Sequence, residues 1–533
     1  MLKESHARGP DQPAVRDLTI GDALREAVAE TPHTIALIAG VADPAHRREW
    51  TYAALLEESE LAARALLERF EPGERVAVWA TNIPQWVIME YACALSGLIL
   101  VTVNPSYQAD ELAYVLRQSK SAGVFLQIEA RGNRMLAHLE AARNTCPELR
   151  EAILFDEWDS FLDGAGNIAL PEVSANSPCM IQYTSGTTGF PKGALLHHRG
   201  LINNGGHTAR TMGADLAAAY MGTMPLFHTA GCVLAVLGAL SLRSPLVLVE
   251  TFEPGLVLEL MERYRAAAMM GVPTMLIAML EHPEFARRDL SSVRAICSGG
   301  STVPADLVRR LEEAVSAPFT IVFGQTECSP VACMTRPDDV IEDKASTLGQ
   351  PMPNVEVKIV DTHSGKTLPI GELGEFCTRG YHVMHEYFDN AEATQSAIDA
   401  EGWLHTGDLC SMDERGYCRI EGRLKDMIIR GGENIYPREV EELLFQHESV
   451  GEVAVVGVPD ARMGEEIAAF VRAAPGAILD KDTLFAYLRE HLSPQKTPRH
   501  WHEVNEYPLT GSGKIQKFAL REAWQRDEYE AMQ

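Results

Sequence analysis

Residues 183–193 read YTSGTTGFPKG, with four Ser/Thr hydroxyls, three glycines and one lysine in eleven residues. Glycines let the backbone approach an anion closely, hydroxyls and N–H groups donate to it, and Lys192 adds a positive charge. One or two glycines after a strand mark an ordinary turn; this density marks a phosphate-binding loop. It is not a Walker loop, because no Gly immediately precedes Lys192 and Gly193 rather than Ser or Thr follows it. Other groups able to do chemistry stand further along. Glu327 follows the apolar run TIVF, Asp408 follows Gly407, Lys514 lies in TGSGK, and His228 precedes a run of small residues. Each of these four, taken alone, reads as a surface carboxylate, a turn residue, a solvated lysine and a satisfied cap or core histidine.

The elements that must position them are legible in part. Cys179–Gln182 reads as a short strand leading into the Gly-rich loop. RVAVWA (75–80), QWVIMEYACALS (85–96) and ILVTV (99–103) read as strand, helix and strand, a parallel βαβ unit. Similar alternation returns at 245–249, 258–270 and 293–297, so the first four-fifths reads as large parallel α/β layers. Near 421–437 the text becomes EGRLKDMIIRGGENIYP, rich in charge and Gly. Pro437 then suits a helix start, with Val440, Leu443 and Leu444 at i, i+3, i+4 spacing. Strands at 453–458 and 468–473 and a helix at 484–492 follow. The expected organisation is α/β: a large N-terminal domain over 1–422, a hinge at 423–426, and a small mobile α+β lobe over 427–533.

Composition bounds the function. The 533 residues carry 47 basic and 74 acidic side chains, a net charge of −27. That balance excludes a sequence-blind nucleic-acid binder and disfavours an anionic membrane surface. The ten cysteines form no Cys-x-x-Cys pair, so reduced, buried thiols are expected rather than disulfides or a zinc site. The opening MLKESHARGPDQPAVRD has no apolar stretch of a secretory signal. The longest apolar runs fall short of the roughly 18 to 20 residues that span a bilayer. A cytoplasmic location without stable membrane insertion is the expectation.

The order of motifs resembles the adenylate-forming (AMP-binding) superfamily, which includes acyl-CoA synthetases, luciferases and peptide-synthetase adenylation domains. YTSGTTGFPKG, PLFH (225–228), FGQTE (323–327), GELGEFCTRG (371–380), GWLHTGD (402–408), GRLKDMIIRGGENIYPREVEE (422–442) and PLTGSGKIQK (508–517) occur in the family's order. The wording is closest to acyl-CoA synthetases for medium-chain or non-standard acids. The resemblance implies that a carboxylate attacks the α-phosphate of ATP to give acyl-AMP, and that coenzyme A then displaces AMP. Thr184, Ser185, Gly186, Thr187, Thr188, Gly189 and Lys192 would hold phosphates. Ser298, Gly299 and Gly300 would line adenine, with Gly299 also bordering the acyl pocket. From the third motif, Phe323 would stack on adenine, Gly324 and Gln325 would lie along the nucleotide, Thr326 would donate to the α-phosphate, and Glu327 would hold Mg²⁺. Asp408 would accept from the ribose hydroxyls and Arg423 would contact ribose or phosphate. Thr184, Lys192, Glu327 and Lys514 form the implied catalytic set, with Lys514 bridging carboxylate and α-phosphate.

The resemblance further places the hinge at Lys425, and Gly431, Gly432 and Glu433 on the path of coenzyme A. His228, Thr229, Gly231 and Cys232 would border the acyl pocket. Amino-acid-activating relatives carry an Asp here, and PLFHTAGC has none; a fatty, branched or aryl acid is therefore expected. Three departures stand out. Phe323 occupies a position more often Tyr, Glu386 in VMHEY replaces a usual Gly, so that turn is expected to differ locally, and Asn434 sits where some relatives have Arg. The alternatives are an adenylating ligase with an amine or carrier-protein thiol as acceptor, or a catalytically dead nucleotide-binding homologue. The expected partners are the small-molecule acid, ATP and coenzyme A, with a homodimer left open as the assembly.

Overall fold

The structure, a computed structural model, describes residues 1–184, 191–215, 217–300, 303–431, 433–509 and 515–532. Apolar runs flanked by turn residues become the strands of two mostly parallel sheets. Arg75–Trp79 and Ile99–Val103 pair in parallel, joined by the helix Pro84–Ser96, whose proline occupies the first turn. They lie inside a seven-stranded sheet completed by Ser121–Leu126, Glu151–Leu154, Pro178–Thr184, Lys192–His197 and Glu386–Tyr387. Near-continuous apolar strands covered on both faces are what parallel pairing requires.

A nine-stranded sheet carries the second half of the nucleotide motifs. Its parallel centre runs through Ile35–Gly40, Leu246–Val249, Tyr220–Gly222, Ala268–Met270, Ala295–Gly299 and Phe319–Gly324. The alternation read at 245–249, 258–270 and 293–297 is present with one boundary moved. The middle segment divides into the helix Pro254–Arg263 and the strand Ala268–Met270.

Residues 355–423 depart from the expected parallel layers. Val355–Val360, Gly374–Gly380, Leu404–Met412 and Cys418–Arg423 form an antiparallel sheet with His6–Arg8 at its edge. Leu404–Met412 and Cys418–Arg423 are joined by a short turn, which antiparallel pairing allows and parallel pairing does not. The C-terminal residues build a separate sheet from Ile428–Arg430, Glu433–Ile435, Val450–Asp460, Gly464–Ala473 and His500–Glu503. Its flanking helix Pro437–Phe445 buries Val440 and Leu444 as the spacing anticipates. All ten cysteines are free and buried.

Candidate active site

The strands on either side of the Gly-rich stretch form a β-hairpin. Pro178–Thr184 and Lys192–His197 pair antiparallel, and their last pair is Thr184 opposite Lys192. The Thr184 hydroxyl donates to the Lys192 carbonyl at 3.4 Å. Ser185, Gly186, Thr187, Thr188 and Gly189 lie outside the described residues. A strand, not a helix N-terminus, begins at Lys192. The exit is pinned where Tyr114 donates its hydroxyl to the Pro191 carbonyl at 2.8 Å.

A third strand, Glu386–Tyr387, pairs along Lys192–His197 and brings Tyr387 beside the hairpin. Lys192 Nζ sits 5.0 Å from the centre of the Tyr387 ring, a cation–π distance. The Tyr387 hydroxyl donates to Glu327 Oε1 at 2.6 Å. Sequence reading had marked this segment only for Glu386, as a turn that differs locally. Glu386 is exposed on this short strand, and the next residue ties the phosphate hairpin to the expected metal carboxylate.

Glu327 lies in the 3₁₀ turn Thr326–Cys328 after the strand Phe319–Gly324. A Cβ at Gly324 would stand 2.0 Å from the Pro330 carbonyl oxygen, so only glycine lets the chain fold back here. Thr326 and Glu327 are both buried. Burial holds the Glu327 carboxyl above the usual carboxylate range, the Tyr387 hydrogen bond and the Arg423 charge pull it back, and Asp408 opposes them. A buried carboxylate that accepts from a neutral hydroxyl suits a hard cation, which takes oxygen ligands and is shared with phosphates.

Asp408 and Arg423, fifteen residues apart, face each other across the antiparallel pair Leu404–Met412 and Cys418–Arg423. Arg423 Nε lies 2.9 Å from Asp408 Oδ1, with the carboxylate buried and the guanidinium half-exposed. Two residues expected to contact the nucleotide separately are thus also partners of one another. Asp408 is mid-strand rather than at a turn. The preceding Gly407 amide donates to Glu375 Oε1 at 3.0 Å. Phe323 packs edge-to-face on Phe376, centroids 5.2 Å apart. Ser298 and Gly299 end the strand Ala295–Gly299, parallel to and in register with Ile321 and Val322, and Gly300 follows at φ +78°. The Ser298 hydroxyl is buried without a partner among the described residues.

The expected acyl-pocket residues sit at the start of a π-helix, Ala230–Leu237, which passes into the α-helix Gly238–Leu242. Only an ordinary apolar helix was legible there. A Cβ at Gly231 would lie 2.2 Å from the Pro225 carbonyl oxygen, so only glycine lets the chain pass itself this closely. Such π segments recur at functional sites. His228 Nδ1 accepts from the Ala230 amide at 3.1 Å, leaving the proton of the neutral ring on Nε2. Cys232 Sγ accepts from Gln182 Nε2 at 3.0 Å, joining this helix to the phosphate hairpin. Thr229 is buried with its hydroxyl unpartnered among the described residues.

Lys425 lies in the 3₁₀ turn Leu424–Asp426 that immediately follows Arg423. Gly431 has φ +61° and its amide donates to the Met463 carbonyl; Glu433 opens the strand Glu433–Ile435, in which Asn434 also lies. Gly432 and Lys514 lie outside the described residues, though Leu509 and Ile515 on either side of the latter segment form an antiparallel bridge.

The AMP-binding enzyme family model matches residues 24–388, and the model for that enzyme's C-terminal domain matches residues 439–514. The chain belongs to the AMP-binding enzymes. It is 39% identical to YngI of Bacillus subtilis (strain 168), over 95% of this chain and 96% of that one. The mitochondrial medium-chain acyl-CoA ligase ACSF2 of Homo sapiens is 34% identical over 98% of this chain and 90% of its own. Among solved structures, ATP-bound MatB from Rhodopseudomonas palustris matches at TM-score 0.86 and 27% identity, covering 96% of this chain and all of MatB. The anthranilate CoA ligase AuaEII in complex with anthranoyl-AMP matches at TM-score 0.83 and 26% identity, covering 95% and 97% of the two chains. The large α/β portion and the C-terminal sheet of this AMP-binding enzyme are those of adenylate-forming ligases. Among its described residues no helix is long and apolar enough to cross a membrane.

Proposed function

We propose that this AMP-binding enzyme is an AMP-forming acyl-CoA synthetase. In the first half-reaction a carboxylate oxygen attacks the α-phosphorus of ATP and pyrophosphate leaves. In the second the thiol sulfur of coenzyme A attacks the acyl carbon and AMP leaves. The observation that carries the reading is the convergence of Thr184, Lys192, Tyr387 and Glu327 next to the Asp408–Arg423 pair. That arrangement sets two cationic side chains and a buried carboxylate beside a Gly-rich loop, which is what charge development on a phosphoryl centre needs.

In this reading Lys192 and the loop hydroxyls hold the β- and γ-phosphates. Asp408 accepts from the ribose hydroxyls while Arg423 pairs with it. Glu327 would hold Mg²⁺, which supplies charge neutralisation for the triphosphate when bound. Tyr387 fixes the orientation of that carboxylate. His228 gates a pocket for a medium-chain, branched or aryl acid, and Lys514 supplies the bridging charge. The chain divides at 423–426, Lys425 is the pivot between the two half-reactions, and coenzyme A passes Gly431, Gly432 and Glu433. We place the enzyme in the cytoplasm on its ten free, buried cysteines, which suit a reducing compartment. Pyrophosphate release across a panel of carboxylates, with and without coenzyme A, tests the reading. A medium-chain, branched or aryl acid should release pyrophosphate and yield a thioester only when coenzyme A is present. Turnover with amines or carrier-protein thiols, and none with coenzyme A, would overturn it.

A further inference from the structure

Beside the nucleotide motifs, the antiparallel sheet gathers a thiol, an imidazole and a carboxylate that the proposed reaction does not use as contacts to substrate. Cys377 and His405 face each other on neighbouring strands, and Glu375 lies two residues from Cys377 on the same strand. Residues two apart share a face of a strand, and the pairing register slips between Glu375 and Cys377. Both features draw the carboxylate toward the imidazole. The result is tight: His405 Nδ1 lies 2.8 Å from Glu375 Oε2 and 3.4 Å from Cys377 Sγ, and all three ligand atoms fall within 4.8 Å of one another.

The surroundings complete a metal-binding pattern. Asp399 Oδ2 lies 3.6 Å from the other ring nitrogen, His405 Nε2, where a second carboxylate orients a ligating histidine. Burial and the Glu375 charge hold the Cys377 thiol above its usual range, and Lys358, its cross-strand neighbour on the other side, pulls it only partly back. Lys358 and Arg379 both rest on the Trp403 ring, at 4.3 and 4.4 Å, rather than on the two carboxylates at His405. Bonds of about 2.0–2.3 Å to S, N and O at tetrahedral angles separate ligand atoms by about 3.4–3.6 Å. The S–N distance already fits, and the N–O distance needs to open by only a few tenths of an ångström.

We propose that Cys377, His405 and Glu375 form a binding site for a zinc-class divalent cation, with a fourth position open to water. Sulfur and nitrogen donors favour Zn²⁺ over the Mg²⁺ proposed at Glu327. On binding, Cys377 gives up its proton to solvent, the proton that His405 Nδ1 holds toward Glu375 is lost from that nitrogen, and the ring binds through Nδ1 with its remaining proton on Nε2 toward Asp399. Glu375 Oε1 meanwhile holds the Gly407 amide, next to Asp408. Occupancy is therefore transmitted to the ribose carboxylate, and the site is regulatory rather than catalytic. Its existence does not depend on which acid the enzyme activates.

The test is titration of the metal-free full chain with Co²⁺, without nucleotide or coenzyme A, followed by displacement with Zn²⁺. One equivalent should bind with a thiolate-to-cobalt charge-transfer absorption that Zn²⁺ abolishes. Cys377→Ser should lose the band. His405→Gln, at a partly exposed position, should weaken binding by more than the roughly 10-fold that loss of an outer-shell partner costs. Saturating Zn²⁺ should change the KM for ATP in the parent and leave Cys377→Ser unmoved. Metal-free ATP binding within about 3-fold of the parent shows that each variant is folded. Absence of a stoichiometric band, or a band that survives Cys377→Ser, would overturn the site; so would unchanged affinity in folded His405→Gln.

Discussion

Glu327 concentrates the chemistry of this enzyme in one side chain, and its environment makes two substitutions informative. Glu327→Gln keeps the shape and removes the charge, so pyrophosphate release should fall by about 10²-fold or more, the scale for losing one preorganised charge. Tyr387→Phe leaves the charge but deletes the hydroxyl that donates to Oε1. That hydrogen bond favours the ionised form, so its loss moves the already raised carboxyl further up. The acid limb of kcat/KM should shift to higher pH in Tyr387→Phe, and the Mg²⁺ requirement should increase. An unmoved pH profile would separate Tyr387 from Glu327. His228→Ala should alter acid preference and the acid's KM while leaving the KM for ATP near that of the parent, since its ring accepts from the Ala230 amide at the head of the π-helix. Glu327, Asp408 and Arg423 were all legible as members of ordered motifs. Their partnerships were not: Tyr387 meets Glu327 across sixty residues of chain, and such a contact leaves no local pattern to read.

The helices carry two features with opposite visibility. Gly231 is the second residue of the π-helix and Gly238 the first residue after it, yet an added methyl meets very different surroundings at the two. At Gly238 it would lie 3.5 Å from the Ala209 methyl, an ordinary contact, whereas at Gly231 it would strike the Pro225 carbonyl. Gly238→Ala should be neutral or stabilise by up to about 1 kcal/mol. Gly231→Ala should destabilise by about 1–3 kcal/mol and disturb the acid's KM; thermal melts of the pair, with acid kinetics, check this. The apolar run at 229–242 announces a buried helix, but nothing in its pattern marks the wider pitch, which was not legible. The helix Pro84–Ser96 was legible throughout, and it hides an oddity. Glu90 is fully buried on it, with neither oxygen hydrogen-bonded among the described residues, and burial alone raises its carboxyl well above 4.5. From about pH 4.5 upward the unfolded chain releases this proton while the folded chain keeps it, so stability falls with rising pH by up to about 1.4 kcal/mol per unit. Glu90→Gln lacks that loss. Its Tm advantage over the parent should widen between about pH 5 and pH 7; a constant difference would show that Glu90 is already ionised in the fold.

At the scale of the whole molecule the proposed division of labour rests on the C-terminal lobe. Lys514→Ala should lower acyl-AMP synthesis by about 10²-fold or more, while thioester formation from supplied acyl-AMP changes much less. Lys425→Pro fixes φ near −65° at the turn after Arg423 and should spare acyl-AMP synthesis while slowing transfer to coenzyme A. Measuring the two half-reactions separately decides it, because equal losses in both for Lys514→Ala would refute a two-pose cycle. The sheet over 355–423 shows where whole-molecule reading fails from sequence. Its strands lack the strand–helix alternation that betrays a parallel unit, and only pairing reveals them. The nine-stranded sheet has one more consequence. The strand Ile35–Gly40, IALIAG, waits for Leu246–Val249 as its parallel neighbour and until then has only the three-residue strand Glu49–Thr51 to pair with. Roughly two hundred residues separate the two, which a ribosome adds in about 10 to 40 s at ~5–20 residues per second. For that interval an uncharged, strand-prone segment is left with one edge bare, the kind of sequence that pairs with other chains. Newborn copies crowded on one messenger therefore meet their greatest hazard before any nucleotide motif beyond the first two has been made.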